Sequence, residues 1–300
     1  MKVFLNGIYS RSESLIKATI DFERKRIKEE EVIKRYEEDY KNIFQIQEGL
    51  EYISDGLLNW DDLLRPFSEI FEGIKVNGLK RYFETNFFYR VLYFEKKIKI
   101  NENKIEGWIE KYFKIKDNSK RLLILPSPLL FKEFSEEIEL NKICDLMIEI
   151  CDIIISKRKG IFFFEDPVIV RRKIEKEEKN ILKNFYKNLY KKGYEIIVQT
   201  YFGKVRGILN FLFSLPLRGI GIDFLRNNID EIKKWDEEKI LVAGCIDCEN
   251  SYIEKKRDLQ NFINNLKDIA KEIYLSGNCD FLFLPKKIAD EKFNLLKKIK

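Results

Sequence analysis

The sequence predicts an α/β chain folded as a single (β/α)8 barrel, and three observations carry that expectation. Short apolar runs rich in β-branched residues alternate with longer amphipathic, charged segments along most of the 300 residues, as parallel strands covered by helices require. Nearly every apolar run ends in polar or turn-forming residues, the pattern of strands that deliver side chains to one rim. The length fits too, since such a barrel takes about 250 residues and no low-complexity linker divides the chain. A doubly wound open sheet is the alternative. However, no glycine-rich dinucleotide fingerprint follows any strand, and Gly219-Ile220-Gly221 lies inside one, where glycine permits close packing.

Taken in order, Lys2 to Ile8 reads as the first strand, with Ser12 as N-cap of a long amphipathic segment running to about Gly49. Glu51 to Ser54 reads as a short second strand ending in Asp55-Gly56. An aromatic-rich excursion over about 57–100 follows, an insertion without clean periodicity; segments that long commonly carry function. From Arg121 the rhythm is regular. Leu122 to Leu125 is a strand ending in Pro126-Ser127-Pro128, followed by a helix over Glu136 to Ser156. Ile161 to Phe164 ends in Glu165-Asp166-Pro167 and leads into a charged helix over Arg172 to Lys191. Ile196 to Val198 ends in Gln199-Thr200-Tyr201, a helix spans Lys204 to Phe213, and Leu217 to Phe224 carries Asp223. That βαβ spacing forces its two strands parallel. A helix over Asn228 to Trp235, a strand over Lys239 to Gly244 ending at Cys245 to Cys248, and a helix over Lys255 to Lys271 come next. Glu272 to Leu275 then ends in Asn278-Cys279-Asp280, and Lys286 to Ile299 closes the chain as a helix, giving eight strands within one domain over 1–300.

Composition narrows the function. Charged residues at 35% and hydrophobic ones at 45% describe a globular chain. No apolar run reaches the roughly 20 residues of a membrane span, and Met1-Lys2-Val3-Phe4 leads straight into a strand without a signal peptide. A cytoplasmic chain is expected, with no membrane partner. Five cysteines, an odd number, suit reduced thiols. The bias toward Lys, Glu and Ile is that of hyperthermophile proteomes and of AT-rich genomes. The formal charge of +6 is spread over Lys/Glu-interleaved helix faces rather than a basic stripe, which argues against nucleic acid and suits a small anionic substrate.

The rim supplies the candidate chemistry. Asp55, Glu165, Asp166 and Asp223 all fall at strand ends. Buried together, they would need a cation, shared protons or basic partners; taken singly, each could cap a helix or pair with a rim arginine. Glu165, Asp166, Tyr201 and Asp223 are the candidate catalytic groups. No histidine is present, which removes Ser-His-Asp and Cys-His chemistry and leaves carboxylate, tyrosine, lysine or thiolate chemistry, or binding alone. Cys245 and Cys248 form a CxxC and Cys279 ends the next strand, an alternative metal set with Asp223 or Glu249 as fourth ligand. No tightly bound cofactor or zinc is expected. Cys144 and Cys151, seven apart on one helix face, read as core. In the excursion, Trp60, Arg65, Arg81, Tyr82, Asn86, Tyr89 and Arg90 combine flat rings with cationic forks, suited to stacking a ring and pairing carboxylates; the alternative is that the excursion plugs the barrel floor or packs on its side with its aromatics as core.

These segments resemble, in order over nearly the whole chain, the cobalamin-independent methionine synthase family, specifically its amino-terminal barrel in the stand-alone form of some archaea. GIYSRSESL, with Arg11 kept, is similar to the family's opening G-S-F-P-R segment. SDGLLNWDDLLRPF is similar to its D-G-x-x-x-x-D segment, and FFFEDP to its D-E-P strand. QTYFG and LPLRGIGIDF resemble the T-Y-F and L-P-V-x-G-x-x-x-D pair, AGCIDCENSYIE the A-G-V-x-x-G-R-N segment, and SGNCDFLFLP the cysteine-bearing last strand.

The resemblance implies a barrel of the methionine synthase/uroporphyrinogen decarboxylase type, acting in methyl transfer from methyltetrahydrofolate to homocysteine. In that family the catalytic barrel holds zinc through His-x-Cys, a glutamate and a distant cysteine. Here the His-x-Cys position reads Gln199-Thr200-Tyr201 and only Cys279 matches. The chain is therefore expected to be the folate-side partner of a separate zinc-bearing catalytic barrel. Arg11, Asp55, Trp60, Arg65, Asn86 and Arg90 would then meet the folate polyglutamate. An autonomous enzyme of the same barrel superfamily and a non-catalytic regulatory barrel are the alternatives.

Overall fold

A computed structural model describes residues 1–115 and 120–299. The chain divides into two compact units, Asn59–Gly221 and the combination of Met1–Leu58 with Ile222–Lys300. Its strands are β1 (Lys2–Val3), β2 (Phe71–Arg81), β3 (Phe88–Ile100), β4 (Leu122–Pro126), β5 (Ser135–Glu136), β6 (Ile161–Glu165), β7 (Ile196–Gln199), β8 (Gly219–Asp223), β9 (Ile240–Ile246) and β10 (Ile273–Gly277).

In the unit Asn59–Gly221, β4, β6 and β7 run parallel as neighbours, and Gly219–Gly221 of β8 add to the free side of β7. Every residue of these strands is buried. Burial on both faces explains why their sequences are unbroken apolar runs rather than alternating ones. Helix Leu140–Lys157 buries Ile143, Met147, Ile150 and Ile154, and helix Lys176–Lys191 buries Leu182, Phe185 and Leu189. That three-to-four spacing makes one apolar stripe per helix. The second helix begins at a capping box between Glu175 and Glu178.

The aromatic excursion in the same unit is a short helix, Arg65–Ile70, followed by a long antiparallel hairpin of β2 and β3. The sequence hides this hairpin because its register slips twice, between Glu72 and Ile74 and between Val76 and Leu79, and each bulge reverses the in-out alternation. Gly73 and Gly78 sit at the slips with φ of +80° and +77°, and a Cβ on Gly73 would lie 2.2 Å from the Lys97 carbonyl oxygen. Only glycine takes that position without strain. β3 also pairs with β5 through Leu92 and Ser135, so β2 is the outer strand of the three, and from Lys75 to Arg81 it is exposed.

In the unit built from Met1–Leu58 and Ile222–Lys300, β10 lies between β1 and β9, all parallel. Ser12 caps helix Glu13–Glu23, accepting from the Leu15 N–H at 3.1 Å. The expected continuous helix to Gly49 is instead two, Glu13–Glu23 and Glu29–Ile46. The chain reverses at Lys25, which takes a left-handed φ of 57°. The expected strand at Glu51 to Ser54 shrinks to one bridging residue, Ile53. There the Gln47 side chain stands in for a neighbouring strand, its Nε2 donating to the Ser54 carbonyl at 2.7 Å and its Oε1 accepting from the Ser54 N–H at 2.8 Å. Asn228 to Trp235 holds a single 3-10 turn, Ile229–Ile232, closed by a capping box between Asn228 and Glu231. Among the described residues no helix is long and apolar enough to cross a membrane.

Candidate functional site

Strands β6 and β7 are in register at their ends, Glu165 opposite Gln199. Glu165, Asp166, Gln199, Thr200 and Tyr201 are therefore neighbours, and all five are buried. The Tyr201 hydroxyl donates to Glu165 Oε2 at 3.0 Å and lies 2.5 Å from the hydroxyl of Tyr82. Tyr82, at the far end of the hairpin, stacks on Tyr89 with ring centroids 4.0 Å apart. A carboxylate and two phenols thus form one hydrogen-bonded chain, an arrangement that can hold a proton between oxygens. Beside it, Asp166 Oδ1 accepts from the Ile169 N–H at 3.0 Å, at the start of helix Val168–Arg171. Burial pushes the Asp166 acid from 3.8 to about 7, against the opposing pull of the Ile169 N–H, the Ser127 hydroxyl and the Arg172 guanidinium.

Gln199-Thr200-Tyr201 occupies the position where the resemblance would put His-x-Cys. Gln199 lies flat against β8: a Cβ on Gly221 would come within 1.9 Å of its Oε1, so Gly221 leaves space that no other residue would. Thr200 Oγ1 donates to the Gly221 carbonyl at 2.7 Å, and Tyr201 is engaged with Glu165 and Tyr82. None of the three brings the imidazole or thiolate that zinc prefers. Among the described residues no group of three or more His, Cys, Asp or Glu side chains is arranged around a common ion position. The residues present do not fit the family's zinc.

The excursion's candidates divide. Trp60 is 1% exposed, meets Phe67, Tyr112 and Phe113 edge to face, and directs its Nε1 to the Tyr112 carbonyl. It packs as core, with neighbouring rings around it. Arg90 Nη1 donates to Asp62 Oδ2 at 3.2 Å, and Asp62, fully buried, also accepts the N–H groups of Leu64 and Arg65 at 2.9 and 2.6 Å. Arg90 is thus committed to a buried carboxylate rather than free to clamp a ligand. Burial raises the Asp62 acid, and the three backbone N–H groups and Arg90 oppose that rise. Arg65 is half-buried and pairs with Asp61. Asn86 is exposed at the hairpin turn and accepts from Arg81 Nη2 at 3.0 Å.

In the other unit, Asp223 is fully buried and its Oδ2 meets Arg226 Nη1 at 2.9 Å. Arg226 in turn grips Glu249 with both nitrogens, at 2.6 and 2.9 Å. Glu249 Oε2 accepts from Asn278 Nδ2 at 3.1 Å, and Asn278 Oδ1 accepts the Cys248 N–H at 2.9 Å. The network ties the ends of β8, β9 and β10 together, and paired carboxylates raise the Arg226 pKa further. Asp55 turns its Oδ1 to the Leu57 N–H at 3.2 Å. Arg11 donates through Nε to the Leu58 carbonyl at 2.7 Å, its guanidinium over the Tyr36 ring. Cys245 lies within β9, whereas Cys248 and Cys279 lie just past the ends of β9 and β10.

Sequence reasoning does not single out Asp62 or Arg226. The signal for Asp62 is the run Asp62-Leu63-Leu64-Arg65-Pro66, an acidic cap before a proline-led helix. For Arg226 it is only the three-residue spacing from Asp223.

Residues 72–273 match the family model described as the cobalamin-independent synthase, N-terminal domain. A 5-methyltetrahydropteroyltriglutamate–homocysteine methyltransferase of Streptococcus thermophilus is 27% identical over 236 residues, covering 73% of this chain and 31% of the relative. The enzyme of the same name from Streptococcus sanguinis is 28% identical over 233 residues, covering 73% of this chain and 30% of the relative. The chain spans about a third of the length of these curated relatives. Two solved structures share the fold. A putative vitamin-B12-independent methionine synthase of Listeria monocytogenes has a TM-score of 0.74 at 16% identity, covering 98% of this chain and 94% of that one. A B12-independent methionine synthase of Shewanella, solved with selenomethionine, has a TM-score of 0.67 at 14% identity, covering 91% and 89%. The architecture is therefore the α/β barrel type of those enzymes.

Proposed function

The chain belongs to the cobalamin-independent synthase N-terminal-domain family, and on that premise we propose that it is the folate-side barrel of a methionine synthase. It would work with a zinc-bearing catalytic barrel on a separate polypeptide, transferring a methyl group from 5-methyltetrahydropteroyl-polyglutamate to homocysteine. The observation that carries this division of labour is the engaged, metal-poor trio Gln199-Thr200-Tyr201. With no histidine in the chain, thiol activation falls to the partner's zinc, and no step here passes through a metal.

What remains for this chain is binding and orientation. Of the excursion's candidates, Arg65 is half-buried and Arg81 and Asn86 are exposed, and glutamyl carboxylates would pair with such guanidinium forks. Arg11 and Asp55 are the folate-binding candidates that the resemblance implies in the unit of Met1–Leu58 and Ile222–Lys300. Arg226 and Glu249 hold Asp223 in place there. Glu165, Asp166 and Tyr201 would face the pterin side, with Asp166 able to exchange a proton near neutral pH. That last property favours a second reading, an autonomous enzyme running acid–base chemistry on Asp166, because such a group is most useful near its own pKa.

The test measures methyl transfer from 5-methyltetrahydropteroyl-triglutamate to homocysteine with the chain alone, with a zinc-loaded catalytic barrel alone, and with both, alongside metal analysis of each. Turnover with both together, and zinc only in the partner, is expected. Turnover by this chain alone, or stoichiometric zinc in it that disappears in Cys245→Ser and Cys279→Ser variants, overturns the reading.

A further inference from the structure

Two thiols take no part in the function proposed above. Strands β9 and β10 are parallel neighbours, and their last paired positions are Ile246 and Gly277. The Asn278 N–H donates to the Ile246 carbonyl at 2.9 Å, which continues that register past the strand ends. Two residues on, in the turns just past the two strand ends, come Cys248 and Cys279. Neighbouring strands lie about 4.8 Å apart, inside the Cα separation of about 4.4–6.8 Å that a disulfide needs.

The side chains agree with the backbone. The Cys248 N–H and the Cys279 Sγ converge on one acceptor, Asn278 Oδ1, at 2.9 and 3.4 Å. Cys248 Sγ lies where a side chain on Gly277 would be, 2.6 Å from a Cβ built there, so the glycine clears its path across the strand end. Burial, and after it the neighbouring Cys248, raise the Cys279 thiol. Both are reduced in the structure.

We propose that Cys248 and Cys279 are a modification site, a reversible intrachain disulfide that ties the loop after β9 to the loop after β10. The oxidant class is a peroxide. One thiolate attacks a peroxide oxygen, the O–O bond breaks, a sulfenic acid forms, and the leaving hydroxide takes up the proton that the thiol released to become water. The second thiol displaces the sulfenic oxygen as water, so two thiols and one hydrogen peroxide give one disulfide and two waters. A dithiol reductant reverses it. Both cysteines are buried, and Cys248 immediately precedes the exposed run 249–253. Burial raises the Cys279 thiol, so closure proceeds faster at higher pH, where more thiolate is present. Cys144 and Cys151 lack such a partner in each other. Cys144 and Cys151 sit two turns apart on one helix, about 10 Å along its axis, beyond disulfide reach.

The experiment treats the folded, reduced full chain with hydrogen peroxide at pH 8. Free thiols are then alkylated, and the intact mass and tryptic peptides are read. Loss of two hydrogens, a linked peptide pair carrying Cys248 and Cys279, recovery with dithiothreitol, and a raised Tm are expected. Cys248→Ser and Cys279→Ser should each abolish the mass loss, and the surviving thiol should oxidise to sulfenic or sulfinic acid. Wild-type chain in which both thiols stay alkylatable while Cys245 oxidises overturns the proposal. So does conversion of both to sulfinic acids with no linked pair. Neither outcome bears on methyl transfer, so failure here leaves the folate assignment to its own test.

Discussion

Asp166→Asn isolates a single buried carboxyl. Asparagine keeps the shape and the oxygen that accepts the Ile169 N–H, but it cannot titrate. In the folded chain the Asp166 acid lies near 7 rather than 3.8, chiefly through burial. The folded state therefore holds a proton over a range in which the unfolded state has released it. Stability falls as pH rises across that window, because the folded state binds more protons there than the unfolded state does. Each pH unit is worth about 1.4 kcal/mol, so between pH 5 and pH 8 the wild type should lose roughly 2–3 kcal/mol relative to Asp166→Asn. Urea unfolding of both proteins at pH 5, 6, 7 and 8, followed by circular dichroism, reads this directly. The difference between the two curves cancels every other titrating group. Curves that stay parallel, or a variant that loses ground as pH rises, would refute the assignment of a buried, protonated aspartic acid.

Other substitutions probe the same architecture. Tyr201→Phe removes the donor to Glu165 and the link to Tyr82, and should cost about 1–3 kcal/mol in chemical denaturation; a cost below about 0.3 kcal/mol would dismiss the hydrogen-bonded chain. Gly221→Ala forces a Cβ against Gln199 and should cost about 3 kcal/mol or abolish folding, whereas wild-type stability would mean that Gln199 is not fixed there. Arg90→Ala leaves buried Asp62 without its guanidinium and should lower stability by about 2–3 kcal/mol. Arg65→Ala, at a half-exposed pair, should change stability by less than about 1 kcal/mol while weakening binding of 5-methyltetrahydropteroyl-triglutamate. Unchanged triglutamate binding in Arg65→Ala, measured with the catalytic barrel present, would remove Arg65 from the folate site.

What the sequence discloses follows from how each element is stabilised. The strands β4 and β6 to β10 are legible because burial on both faces demands unbroken apolar runs, and because their ends must turn. Glu165, Asp166, Tyr201 and Asp223 stand out for the same reason. The hairpin is not legible, since its two glycine bulges reset a two-residue period before it can repeat. Glu51 to Ser54 looks like a strand because Tyr52 and Ile53 are apolar, yet its hydrogen bonds are met by the side chain of Gln47, a residue within the segment read as one long helix. The commitments of Arg90 and Trp60 depend on contacts distant in sequence, with Asp62 and with the rings at 112 and 113. A composition rich in rings and cations suggests a ligand clamp and a local core equally well.

The outer strand of the hairpin has a consequence for how this chain behaves in a crowded solution. The exposed edge from Lys75 to Arg81, with Val76 and Leu79 exposed, is what a second molecule would need to extend the sheet from chain to chain. The bulges interrupt the row of backbone donors and acceptors, and Lys75, Lys80 and Arg81 line the same strand, so an approaching copy meets its own sign of charge and a broken template. That protection is electrostatic as well as geometric, and salt weakens it. The chain should therefore associate more readily at high ionic strength, and neutralising those three cations should increase that association while its core remains folded.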